Sequence, residues 1–159
     1  VEAAARVLEK TDGVRVVMAG SGDMMNKMID LVAQRGIADR FHFPGFQRGR
    51  QVQEMLAESD CYIMPSVSEP FGISPLEAMQ LGCPSIISHQ SGCAEILQHA
   101  IKTDYWDIDA MADAIYAIVK YPAMYKSLSE LGKEEVNNIK WYDAGLKVRA
   151  IYDKVLQGH

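Results

Sequence analysis

The chain has 159 residues, a length that fits one domain, and its 48% hydrophobic and 23% charged residues exclude a disordered polymer. A formal net charge of -5 gives no general attraction to phosphate backbones or anionic membrane surfaces, so nucleic acid is not expected as a partner. No apolar run approaches the roughly 20 residues of a transmembrane helix and no leader pattern is present, so the chain reads as cytoplasmic.

Val1 opens directly into the helix-like "VEAAARVLEK" with neither an initiator Met nor a leading strand, which reads as a piece of something longer; Gly158 and His159 read as a cloning scar. Four short apolar runs flanked by turn residues then predict buried parallel strands: Val14–Gly20, Phe41–Gly45, Cys61–Ser66 and Pro84–Ser88, with a fifth expected in "AIKT". Each of the four is followed by a helical pattern: "MMNKMIDLVAQRG", "QVQEMLAESD", "SPLEAMQLG" and "CAEILQH". From about Asp107 onward only helices are expected. Strands alternating with helices at this interval predict an α/β, Rossmann-like, doubly wound parallel sheet with helices on both faces. In such sheets ligands bind where strand C-termini meet helix N-termini, here the loops "GSGD", "PGFQRGR", "PSVSEPFGIS" and "SHQSGCAE".

The third loop carries two carboxylates, Glu69 and Glu77, on either side of a Phe-Gly-Ile-Ser-Pro turn. Ser74-Pro75-Leu76-Glu77 has the form of a capping box, and a purely structural role for Glu77 at the start of a helix is complete in itself. The surroundings suggest more. Gly72 lets backbone approach a ligand, and the free N–H groups of a first helical turn suit an anion such as a diphosphate. Glu77 can accept two hydrogen bonds from the vicinal hydroxyls of a ribose. Glu69 lies on the other side of the turn, where it can bind a hexose or stabilise positive charge developing at an anomeric carbon.

These residues resemble a known family. "EPFGISPLEAMQLGCPSIIS" is similar to the signature of retaining glycosyltransferases of family 4, the group 1 type, whose donor-binding domain is the C-terminal half of the two-domain GT-B fold. "GSGDMMNKMIDLVAQRGIADRFHFPGF", "SHQSGCAEIL" and "WDIDAMADAIYAIV" resemble the flanking segments, and "ISHQSG" and "KTDYWD" resemble glycogen or starch synthase-like members. The resemblance implies that residues 1–159 form a nucleotide-sugar donor domain. Its donor would be a nucleoside-diphosphate sugar, UDP- or ADP-hexose foremost, with a glycan acceptor and no cofactor or metal. It implies Glu77 on the ribose and Glu69 beside the transferred sugar. Backbone at Phe71, Gly72, Ile73 and Ser74 would meet the sugar and diphosphate, Phe46 the nucleobase, and Gly20 and Gly22 the first glycine loop. The family's first strand, with its diphosphate-gripping Arg and Lys, and its acceptor domain are expected before Val1, so the chain is not expected to transfer sugar alone.

The sequence departs from the pattern at Ser91, where the family's last loop has the first of two adjacent glycines. Arg48 and Arg50 read as solvated loop charges or weak phosphate or base contacts. His42 reads as packed in its strand, His89 lies near the cleft, Met24, Met25 and Met28 read as helix packing, and Trp106 and Trp141 as anchors of the C-terminal helices. Cys61, Cys83 and Cys93 lack metal-ligand spacing and read as reduced thiols. Two rivals stand beside this reading. "AGSGD" after a strand suggests a dinucleotide-binding oxidoreductase domain, although Met25 occupies the third glycine position and no acid ends the second strand. A flavodoxin-like interaction domain leaves both glutamates without a role beyond capping.

Overall fold

The computed structural model describes residues 1–157. Helix α1 (Glu2–Leu8) leads into β1 (Val16–Ala19), and the chain then alternates through α2 (Met25–Gln34), β2 (Phe41–Gly45), α3 (Arg50–Ala57), β3 (Tyr62–Met64), α4 (Ser74–Gln80), β4 (Ser85–Ser88) and β5 (Ile101–Thr103). Three helices follow in succession: α5 (Ile108–Lys120), α6 (Pro122–Asn138) and α7 (Trp141–Gln157). β1 pairs with β2, β3 with β4, and β4 with β5, all parallel. The expected α/β class and its parallel pairing are therefore present.

Strand β4 is the centre of the core. All four of its residues are buried, and consecutive side chains leave opposite faces of a strand. Ile86 packs with Ala3 and Val7 of α1 and with Met111, Ile115 and Ile118 of α5. Ile87 packs on the other face with Met64, Met79 of α4, Leu97 and the half-buried Val136 of α6. Burying one such isoleucine contributes about 1.5–3 kcal/mol, so "SIIS" fastens both helical layers to one strand. Ion pairs Arg6–Asp109 and Lys10–Asp113 tie α1 to α5, and Arg35–Glu2 ties the end of α2 to α1.

The sheet forms two hydrogen-bonded parts, β1-β2 and β3-β4-β5. Among the described residues β1, β2, β3 and β5 thus each keep one unpaired edge. Val17 on β1 is 47% exposed.

Several sequence expectations are corrected. The pattern "CAEILQH" yields only a 3-10 turn at Gly92–Glu95. A longer helix would need the Gln98 and His99 amides as internal donors, but Glu135 of α6 accepts both, at 2.7 and 3.0 Å. Trp106 and Trp141 are not buried anchors: they are 59% and 82% exposed, and α7 contains no buried residue. His42 is exposed, because Phe41 and Phe43 take the inward positions of β2 and stack with centroids 6.0 Å apart. Met24 is also exposed, while Met25 and Met28 are partly covered and Val32 is the one buried residue of α2. The three thiols are free, and burial pushes Cys61 and Cys83 above the ordinary thiol value. The expected scar at residues 158–159 lies outside the described residues.

Candidate functional site

The loops after β3 and β4 are built against each other. Glu69 bridges to Ser91; the Gly92 amide donates to the Glu69 carbonyl at 2.9 Å and the Cys93 amide to the Phe71 carbonyl at 2.7 Å. A Cβ at Gly92 would fall 2.1 Å from the Pro70 oxygen, so this approach requires glycine. Gly72 turns the chain with φ +89°, and a Cβ there would meet Met64 Cε at 2.8 Å and Glu69 Cγ at 3.2 Å. The segment from Glu69 to Ile73 is thereby held over buried Met64 on one side and the Ser91–Cys93 loop on the other.

The capping box expected at Ser74 does not form. Ile73 is the cap residue, Ser74 is the first helical residue, and no side chain caps α4. The Ser74 hydroxyl instead accepts from Tyr62 Oη at 2.8 Å. Among the described hydrogen bonds, none is donated by the amides of Gly72, Ile73 or Ser74, and neither Glu69 nor Glu77 uses its carboxylate on a protein partner. Glu77 is exposed and Glu69 half-buried. Burial raises the Tyr62 phenol above its ordinary pKa, the Ser74 bond opposes this, and Cys93, Glu77 and Glu69 add to the rise.

Glu77 lines a cavity of about 320 Å³ with Gln80 and Leu81 of α4, Gln47, Arg48 and Gly49 of the loop after β2, and Val52, Gln53 and Leu56 of α3. Phe46 precedes the lining residues Gln47–Gly49 without lining the cavity itself; it is 61% exposed, with the Arg48 guanidinium 4.9 Å from its ring centroid. Gln47 is pinned through Nε2 to the Pro44 carbonyl at 2.8 Å. Arg50 is taken by Glu54 at 2.6 Å, which leaves Arg48 as the loop cation facing the cavity. Gly20 and Gly22 line a separate depression of about 220 Å³ with Met18, Met24, Met25 and Met28. The structure thus joins Glu77 to the Phe46 loop, and Glu69 to Phe71, Gly72 and the Ser91 loop, but leaves the first glycine loop apart. His89 is exposed at the C-terminal end of β4.

Sequence reasoning missed Tyr62, which links the two halves of the loop, and the glutamine side of the cavity, Gln47, Gln53 and Gln80. The cavity side had no local signal, since Gln47, Gln53 and Gln80 lie on three separate segments. The Tyr62–Ser74 bond had none, since it spans two elements.

Comparison with known proteins places this arrangement. The family described as "Glycosyl transferases group 1" matches residues 1–135. The chain is 38% identical over 101 residues to an uncharacterized glycosyltransferase of Methanocaldococcus jannaschii, covering 64% of this chain and 26% of that protein. It is 31% identical over 140 residues to the N-acetyl-alpha-D-glucosaminyl L-malate synthase of Bacillus anthracis, covering 86% of this chain and 36% of that protein. The fold is shared with the crystal structure of Anabaena HepE in complex with UDP-glucose, at TM-score 0.76 and 18% identity, over 84% of this chain and 39% of that one. The chain spans about a quarter to a third of the curated relatives it matches, and no oxidoreductase reading survives a family match of this extent. Glycine-fixed loops, paired free carboxylates and family match agree: the chain belongs to the group 1 glycosyltransferases.

Proposed function

We propose that the chain binds the nucleoside-diphosphate sugar donor for hexosyl transfer with retention, the hexose being glucose and the base uracil or adenine. The observation that carries the reading is Glu77: a carboxylate on a helix start, without a protein partner, on the wall of a cavity sized for a nucleoside. A vicinal diol supplies the two donors such a carboxylate accepts. In this reading Glu77 holds the ribose, Phe46 and its loop face the base, and the Phe71–Ser74 backbone meets the diphosphate and sugar, with Gly20 and Gly22 closing the far side of the cleft. Glu69 lies beside the anomeric carbon, where a fixed negative charge favours an electron-poor transition state. The complex of HepE with UDP-glucose on the same fold supports the donor class.

The acceptor, a glycan, belongs to a second domain of the same polypeptide, and the 159 residues alone are not expected to transfer sugar. In this reading a further parallel strand on one of the unpaired strand edges brings cations to the diphosphate. The test is a calorimetric titration with UDP, UDP-glucose, ADP-glucose, GDP-mannose and NAD, repeated on Glu77→Ala. A nucleoside diphosphate binds, and the substitution weakens it by ~1–3 kcal/mol, roughly 5- to 150-fold. Binding of NAD alone, or nucleotide affinity indifferent to Glu77, sinks the reading.

A further inference from the structure

The turn after β5 carries an aromatic pair that the donor site does not use. Tyr105 and Trp106 are 38% and 59% exposed. Their rings meet edge to face, with centroids 4.7 Å apart and planes at 85°. The turn is rigid: the Asp107 amide closes on the Asp104 carbonyl at 3.0 Å, and Asp107 Oδ1 caps α5 through the Ala110 amide at 2.9 Å. Gln90 pins it from the neighbouring loop, with Nε2 donating to Asp104 Oδ1 at 2.9 Å and Oε1 accepting the Tyr105 amide at 3.4 Å. Gln90 directly precedes Ser91 and Gly92, which hold Glu69. The pair therefore sits on the same C-terminal edge of the sheet as the two glutamates and is continuous with their support.

We propose that Tyr105, Trp106 and Asp104, braced by Gln90, form a binding platform for a neutral hexopyranose unit of a glycan. A pyranose has an apolar C–H face and a rim of hydroxyls, which an exposed indole and the neighbouring Asp104 carboxylate, whose Oδ2 has no partner among the described hydrogen bonds, complement. A large rigid aromatic surface held in place also loses little entropy on binding. Other occupants fit less well. Two side chains fall far short of the ~800 Å² per partner of a stable protein interface. Asp104 and Asp107 flank the aromatic pair and repel nucleotide phosphates and anionic lipid. This binding does not rest on the donor reading above.

Only two tryptophans are present, so Trp141→Phe leaves Trp106 as the sole indole reporter. In that background, maltotriose, mannotriose and chitotriose are titrated by fluorescence, and saturation-transfer NMR follows the same sugars on Trp106→Ala and Trp106→Phe, with folding verified by urea midpoint. At least one trisaccharide produces a saturable change in Trp106 emission; Trp106→Ala weakens it at least tenfold, Trp106→Phe weakens it less, and Glu77→Ala leaves it unchanged. A trisaccharide that binds while UDP does not sustains the platform and removes the donor reading. Silence with all three sugars, saturation transfer that persists in Trp106→Ala, or an emission change produced by UDP alone overturns the proposal.

Discussion

Gly92→Ala tests the claim that the two loops at the heart of the site are one mechanical unit. The added Cβ would lie 2.1 Å from the Pro70 carbonyl oxygen, 2.9 Å from its carbon and 3.1 Å from Phe71 Cα, all backbone atoms that no rotamer change can move aside. Real Cβ contacts do not fall under 3.0 Å, so one loop must retreat by about 0.9 Å, a displacement of the kind that costs ~1–3 kcal/mol in a packed interior. The same retreat stretches the Gly92–Glu69 and Cys93–Phe71 hydrogen bonds, now 2.9 and 2.7 Å, each worth about 0.5–1.5 kcal/mol. Together these predict a loss of about 2–6 kcal/mol, read as a fall of roughly 1–3 M in the urea midpoint at an unchanged slope of about 2 kcal/mol/M. Gly13→Ala is the control, since a Cβ there meets nothing within 4 Å, and it should move the midpoint little or upward. A Gly92→Ala midpoint within the scatter of the Gly13→Ala control refutes the clamp.

Two further outcomes follow from partners away from the cleft. Glu135→Ala strips acceptors from the Gln98 and His99 amides and from His99 Nδ1, so it should cost about 1–3 kcal/mol and accelerate hydrogen exchange at those two amides; Glu135→Gln, which keeps one oxygen, should fall between. Burial pushes Cys83 up from 9.0 to about 12, so above pH 9 the unfolded chain loses this proton while the folded chain keeps it. The linkage relation then gives a negative slope, and stability declines between pH 9 and about 12. Urea midpoints across that range should decline less steeply in Cys83→Ala than in the parent; equal slopes would show that the thiol is solvated.

The parts of the fold that could be read from sequence are those fixed by local pattern. β2 has the expected bounds because its apolar alternation is closed at Gly45, and α5 begins after Asp107 because an aspartate there can cap it, as Oδ1 does. What sequence could not show is what covers an apolar stripe. Trp141 opens a helix with a legible apolar face, yet every residue of α7 is exposed, because periodicity names a face and not its partner. Ser74 fails as a cap for a related reason: a hydroxyl twelve positions earlier, on Tyr62, engages its oxygen, and local spacing carries no trace of that competition. The glutamate pair was legible as a pair. Its surroundings were not, since Gln53 reaches the Glu77 cavity only through the tertiary approach of α3 to α4.

The departure at Ser91 shows how a motif position can change while its geometry holds. Of the two glycine positions the family pattern places here, only the second is demanded by contact: Gly92 faces Pro70 with no room for a methyl group. Ser91 has φ -95° and ψ 141°, extended backbone open to any residue, so a side chain costs nothing in conformation. The serine then adds what glycine cannot. Its Oγ donates to the Ser88 carbonyl at 2.7 Å and accepts from Cys93 Sγ at 3.5 Å, bracing from within the loop that bonds to the Glu69 backbone. Replacing it by glycine would restore the family pattern and remove that brace, so in this chain the consensus residue is the less rigid choice.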